Sequence, residues 1–411
     1  MAISSGDTTW ILISSALVML MTPGVALFYG GMVRRKNVLS TLMMSFAALG
    51  LVGLLWILYG YSLSFGSDVG GVIGRLDFIG LRGVGQEPSP IYASTVPHLA
   101  FMVFQAMFAI ITVALITGAV VERIKFSSLL IFSALWLTFV YSPVAHWVWG
   151  DGGWLVNLGA LDFAGGTVVH ITAGVSALGL AVLLGPRKGF REGEPMEPNN
   201  IPMVMIGAGL LWFGWFVFNA GSALTSGGLA ASAFVATNTS AAAAAFTWMI
   251  LSWIYRRPTL LGTATGAVAG LVAITPAAGF VSPIMGIPIG IGAAVICYYC
   301  MLFRMSRRID ESLDVWAVHG MGGTWGALAT GIFASAAVNS AGADGLLLGN
   351  WLQLGKQFVG VAAVWVFAFV VTMILGKLID ITIGLRVSGA EETVGLDISQ
   401  HGERAYGGVL R

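Results

Sequence analysis

The run Leu161-Asp162-Phe163-Ala164-Gly165-Gly166-Thr167-Val168-Val169-His170-Ile171 carries the decisive signal in this chain. It is apolar apart from one carboxylate, one threonine and one histidine, and His170 follows Asp162 by eight residues. The spacing returns nearer the carboxyl end, where His319 follows Glu311 by eight residues. A neutral imidazole offers one hydrogen bond at each ring nitrogen without adding charge. Ionisable groups within apolar helices of a membrane protein are functional candidates, because hydrocarbon penalises them. His170 and His319 are therefore the residues that any reading has to explain.

The composition fixes the solvent. Of the residues, 57% are hydrophobic and 9% charged, and the mean hydropathy is +0.87. Soluble domains carry about 25% charged residues, so this is an all-α integral membrane protein. A formal net charge of +1 argues against a nucleic-acid binder, which would present a basic face. The two cysteines, Cys297 and Cys300, lie in an apolar run without a second pair or a nearby histidine. They read as ordinary helix thiols rather than a metal or redox site. Residues 1–10 lack the basic segment of a secretory signal, and the apolar run that follows continues to Met32. That run predicts a retained helix.

A spanning helix needs about 20 mostly apolar residues. On that basis helices are expected near 9–32, 38–64, 95–121, 126–148, 163–185, 200–220, 227–254, 260–278, 284–305, 313–336 and 355–384. The chain would then have eleven transmembrane helices, with its termini on opposite sides. Lysine and arginine set the direction. The loops after odd-numbered helices hold Arg34, Arg35, Lys36, Arg123, Lys125, Arg187, Lys188, Arg191, Arg256, Arg257, Arg304, Arg307 and Arg308. The carboxyl-terminal part adds Lys377, Arg386, Arg404 and Arg411, whereas the opposite side has only Arg75, Arg82 and Lys356. This asymmetry predicts an outside amino terminus and a cytoplasmic carboxyl terminus.

Helix 1 would start outside and helix 6 inside, giving two inverted five-helix repeats plus a final helix. Leu161-Asp162-Phe163 echoes Leu313-Asp314-Val315, each ahead of a histidine. Leu27-Phe28-Tyr29-Gly30-Gly31 likewise echoes Val217-Phe218-Asn219-Ala220-Gly221. Inverted repeats place substrate sites near the middle of the bilayer. Eight helical residues advance about 12 Å, so the two imidazoles are expected to converge there. The 56 glycines fit close helix packing where no hydrophobic force draws helices together.

A second cluster gathers toward the outside. Phe104, Gln105 and Phe108 belong to helix 3, His146 to Trp149 end helix 4, and Phe218 with Ser222 belongs to helix 6. Aromatic faces attract cations by about 0.5–2 kcal/mol, most strongly when water is displaced, and a hydroxyl such as that of Ser222 accepts from an N–H cation. Most of the 14 tryptophans read instead as an interfacial belt. Asp162 has two readings, direct contact with a cation or capping of helix 5. The capping role is favoured, since a direct ion pair would trap the cargo.

Taken together, Asp162 to Ile171 is very similar to the signature of the ammonium transporter (Amt/Mep/Rh) family. The resemblance extends from Pro23-Gly-Val-Ala-Leu-Phe-Tyr-Gly-Gly31 into the tail. It implies a homotrimer of eleven-helix protomers, each with its own pore. Phe108, Trp149 and Ser222 match the family's external ammonium-recruitment site. Phe108 and Phe218 match its stacked phenyl gate, His170 and His319 its twin-histidine pore, and Asp162 its acidic residue tied to recruitment or deprotonation. Trp149 and Ser222 point to the Amt branch, and the tail to a bacterial one. Glu311 departs from the aspartate often found at that place in bacterial relatives. Gly384-Leu-Arg-Val387 and Gly395-Leu-Asp-Ile-Ser-Gln-His-Gly402 resemble the cytoplasmic segment that contacts PII-type (GlnK-like) signalling proteins. His401 then belongs to the tail, while His98 and His146 read as structural or interfacial.

The expectation is a transporter domain over residues 1–384 and a cytoplasmic regulatory tail over 385–411, in the cytoplasmic membrane. No cofactor or metal is expected. The function expected is recruitment of NH4+ at the aromatic site, deprotonation, and passage of NH3 through the hydrophobic twin-histidine pore. An ammonium receptor signalling through the tail is the main rival, and it would bind a partner without carrying flux. An intramembrane hydrolase using Asp162 and a histidine lacks an obvious nucleophile or metal triad.

Overall fold

In hydrocarbon every backbone N–H and C=O must be satisfied within the protein, which leaves helices as the economical use of long apolar runs. The computed structural model describes residues 2–407; Arg411, counted above with the basic tail, lies outside the described residues. The helices are α1 (Ser5–Met32), α2 (residues 38–65), α3 (His98–Thr117), α4 (residues 126–149), α5 (Gly166–Leu184) and α6 (Ile201–Gly221). Then follow α7 (Gly228–Tyr255), α8 (Leu260–Ile274), α9 (Gly286–Ser306), α10 (residues 316–333) and α11 (Trp351–Thr382). Among the described residues, nine helices are long and apolar enough to cross a membrane; α8 and α10 are shorter.

The helix ends follow local chemistry. Ser4 accepts from the Asp7 N–H, and Asn200 from the Met203 N–H. Such caps satisfy donors that have no intrahelical partner. The helix expected over 260–278 stops at Ile274, since the prolyl residue Pro276 has no N–H to donate. Four helices contain π-helical turns, at Trp56–Gly60, Leu137–Tyr141, Gly166–Ile171 and Trp316–Gly320. Two of these hold His170 and His319.

Packing is set largely by small residues. α1 lies along α6, crossing where a Cβ at Gly207 would fall on the Phe28 backbone. The starts of α5 and α10 meet the same way, because a Cβ at Gly174 would fall on Gly320. α7, α8 and α9 form a neighbouring packed group, and α11 lies against α5 and α10. At the end carrying Asp162, residues 68–69 pair with 73–74, and 88–89 with 93–97, in two small antiparallel ribbons.

The opposite end is held by charge. The Glu122 carboxylate accepts from the Arg34 N–H and Nε at 2.7 Å each, and Arg187 pairs with Asp310 at 2.8 Å. Burial pushes the Glu122 and Asp310 carboxyls up, but the cations beside them (Arg187 and Arg34, and Arg187 and Arg123) leave both below their ordinary values. The tail folds back onto this cluster through α12 (Gly389–Val394) and α13 (Leu396–His401). Glu392 accepts from Arg386 at 2.8 Å and from the Lys188 N–H at 2.6 Å, and Asp397 accepts from the Ser40 N–H at the start of α2. His401 packs edge-on to Phe126, with ring centroids 4.9 Å apart.

Candidate functional site

α3, α4 and α6 bring Phe108, Trp149 and Ser222 to one vestibule of about 320 Å³, also lined by Gln105, Tyr92 and Phe163. The Phe108 ring stands edge-on to the Trp149 indole, at 5.9 Å and 84°. Ser222 follows the last turn of α6, where its hydroxyl donates to the Phe218 carbonyl at 2.9 Å. Its one O–H is thereby committed, which leaves lone pairs as what the oxygen can offer a ligand. An aromatic wall and an acceptor oxygen suit an N–H cation.

The vestibule floor is closed by Phe108 and Phe218, whose ring centroids are 4.3 Å apart. Both rings are almost fully buried. Beyond them lies a narrow apolar cavity of about 10 Å³, lined by Phe28, Tyr29, Trp215, Phe218, His170 and His319. That is room for about one water-sized molecule.

The histidines come together inside this cavity. Their Nδ1 atoms are 3.3 Å apart and their ring centroids 5.3 Å apart. Each ring sits in the π-helical turn that opens its helix, a local widening that is frequent at functional sites. The glycines opposite allow the approach: a Cβ at Gly323 would stand 2.8 Å from the Gly166 carbonyl oxygen and 3.0 Å from the His170 Cβ. In an Nδ1 to Nδ1 contact one ring donates and the other accepts. The Nε2 of His170 is buried with no protein partner.

Asp162 lies before α5, not in the vestibule wall. Its carboxylate accepts from the N–H groups of Gly165, Gly166, Thr167 and Val168, at 2.8, 2.7, 2.7 and 3.2 Å. The side chain thus caps the turn that carries His170, through backbone N–H groups that favour the ionised carboxylate. Its carbonyl oxygen accepts from the Trp149 Nε1 at 2.9 Å, which joins the carboxylate segment to the aromatic wall. Glu311 does a smaller version of the same task, accepting from the Trp316 N–H at 3.3 Å ahead of His319.

The remaining histidines are elsewhere. His146 is wholly buried between the Ser64 carbonyl (3.0 Å) and Asp68 (2.9 Å), while His98 meets the Tyr61 hydroxyl. Trp215 was not legible as part of the site, yet it stacks on His170 at 5.3 Å and donates to Thr275. A tryptophan inside a uniformly apolar run carries no spacing that would single it out. Among the described residues no three His, Cys, Asp or Glu side chains are grouped as a metal site.

The family model described as the Ammonium Transporter Family matches residues 9–406. The ammonium transporter Amt1 of Archaeoglobus fulgidus is 55% identical over 403 residues, covering 98% of this chain and all of that protein. An ammonium transporter of Bacillus subtilis is 51% identical over 404 residues, covering 98% of each. Among solved structures, Candida albicans Mep2 superposes with a TM-score of 0.90 at 37% identity, covering 98% of this chain and 90% of that one.

Proposed function

This chain belongs to the ammonium transporter family, as a multi-pass membrane protein, and we propose that it takes up ammonium by recruiting the cation, removing its proton and conducting NH3. Recruitment falls to Phe108, Trp149 and Ser222 at the external vestibule. Asp162 acts through its charge, drawing the cation toward the vestibule floor and favouring its release of a proton there. The Phe108/Phe218 pair is the gate, and His170 with His319 forms the conducting pore.

The single observation that carries this reading is the imidazole pair in an otherwise apolar cavity beneath two closely packed, tilted phenyl rings. An intact ion entering such a passage gives up its water shell for a wall without counter-charge, at a cost of several kcal/mol. NH3 avoids most of that cost. A neutral histidine pair bonded through Nδ1 leaves one Nε2 as donor and the other as acceptor. NH3 can use both, since it accepts one hydrogen bond and donates three.

The eleven helical segments are read as eleven spans in two inverted repeats, with α11 outside them. The pairing of α1 with α6 and of α5 with α10, each five helices apart, supports that symmetry. The amino terminus is placed outside and the tail in the cytoplasm, in the cytoplasmic membrane, by the charge asymmetry. Residues 385–411 are read as the regulatory segment, the chain as a homotrimer, and a PII-type (GlnK-like) protein as the partner at the cytoplasmic face. The regulatory segment, the homotrimer and the PII-type partner rest on the family resemblance.

Single replacements His170→Ala and His319→Ala test the pore. Each is expected to change ammonium conduction, or its selectivity over potassium, in proteoliposomes. Wild-type uptake and selectivity in both would remove the histidines from the mechanism.

A further inference from the structure

The segment leading into Asp162 is irregular, half-buried backbone, so its peptide groups take partners from elsewhere in the protein. Two fully or nearly buried glutamines on α11 supply them. The Gln357 Oε1 accepts from the Leu161 N–H at 2.6 Å, and its Nε2 donates to the Leu161 carbonyl at 2.7 Å and to the Ala327 carbonyl of α10 at 3.0 Å. One turn earlier, the Gln353 Nε2 donates to the Gly159 carbonyl at 3.0 Å and to the Gln357 Oε1 at 3.3 Å. A peptide N–H can only donate and a carbonyl only accept, so one amide orientation alone serves Gln357.

The pairing matters because of what adjoins it. Leu161 is the residue before Asp162, whose carbonyl receives the Trp149 indole N–H at 2.9 Å and whose carboxylate caps the His170 turn. Phe163 next donates its N–H to the Pro276 carbonyl at 3.1 Å. The peptide at 161 is therefore clamped on one side by α11, and the same short segment sets both the carboxylate and the indole. We propose that Gln357, supported by Gln353, is a positioning residue that fixes Asp162 and the Trp149 ring for ammonium recruitment and deprotonation. This rests on the functional reading given above for Asp162 and Trp149. It also gives α11, the helix outside the two repeats, a part in transport.

The chemistry supplies a selective test. A protonated carboxyl at position 357 would keep both bonds to Leu161, its C=O accepting and its O–H donating, whereas an ionised carboxylate has no donor left. Transport by Gln357→Glu is therefore expected to stay near wild type at acid pH and to fall as pH rises, relative to wild type at each pH. Gln357→Met, which makes neither bond, is expected to lose about tenfold in rate at limiting ammonium at every pH, the scale of a modest misplacement of a reacting group. Flux into proteoliposomes is measured between pH 5 and 8 for both variants and for Asp162→Asn, with thermal stability recorded at each pH. Reversible alkaline loss of flux by folded Gln357→Glu supports the proposal, and decides the matter if Gln357→Met does not fold. Gln357→Glu matching wild type at every pH, or losing flux only where it unfolds, overturns it. Wild-type flux in Asp162→Asn would instead overturn the underlying reading of Asp162.

Discussion

Asp162 spends its carboxylate on four backbone amides, so it cannot also grip a cation tightly without giving up bonds of its own. In the proposed mechanism its charge acts on the vestibule at a distance, and its carbonyl is tied to the Trp149 indole. That mechanism leaves direct recognition to the aromatic faces and Ser222. Replacing Trp149 by leucine keeps the apolar bulk and removes the strongest cation-attracting face, worth about 0.5–2 kcal/mol. The apparent KM for ammonium is then expected to rise about 2- to 30-fold, with a smaller change in maximal rate. An unchanged KM in a radiolabelled methylammonium uptake assay would count against recruitment by this residue.

At the scale of elements, the histidine pair depends on how α5 and α10 cross. The eight-residue spacing from acid to histidine was legible in the sequence, and it located both turns. The π-helical form of those turns was not, because that register depends on packing from other helices. Helix boundaries shifted for local reasons of the same kind. α11 begins at Trp351 rather than near 355, and the extra turn contains Gln353. Neutral amides within an apolar run give no periodic signal, so neither glutamine stands out in the sequence. The close crossing at Gly174 and Gly320 makes a definite claim. Gly174→Ala puts a methyl on the Gly320 backbone and is expected to cost about 1–3 kcal/mol by overpacking. A lowered melting temperature with reduced flux is expected; wild-type behaviour in both would show that the helices can separate without consequence.

For the whole molecule, the charge pattern and the tail belong to one end. Lys36, Arg123, Lys125 and Arg187 were legible only as orientation signals, yet the Lys36 ammonium and the Lys125 N–H bond carbonyls of the tail, while Arg123 and Arg187 hold Asp310 beneath it. Glu392→Gln removes the charge that Arg386 and the Lys188 N–H meet, bonds worth about 1–3 kcal/mol together. Protease cleavage after residue 384 is expected to quicken by about tenfold in vesicles that expose this face, and no quickening would mean the tail docks by other contacts. The Glu122 and Asp310 carboxyls lie below their ordinary values because of Arg34, Arg123 and Arg187, so the cluster on which the tail rests keeps its full stabilisation above the usual carboxylate range and loses it only as pH falls through the lowered values. Tail protection in wild type is therefore expected to hold from pH 7.5 to 5. In the proposed mechanism the apolar pore answers to ammonium, with Asp162 required, and excludes a cation such as potassium that has no proton to release. The most direct test is an ammonium pulse, with a potassium pulse as control, on proteoliposomes in which current and internal pH are recorded together. The expected result is a current or an internal pH change with ammonium, lost in Asp162→Asn, and neither with potassium. A potassium current of similar size, or no ammonium response from folded and inserted protein, would contradict it.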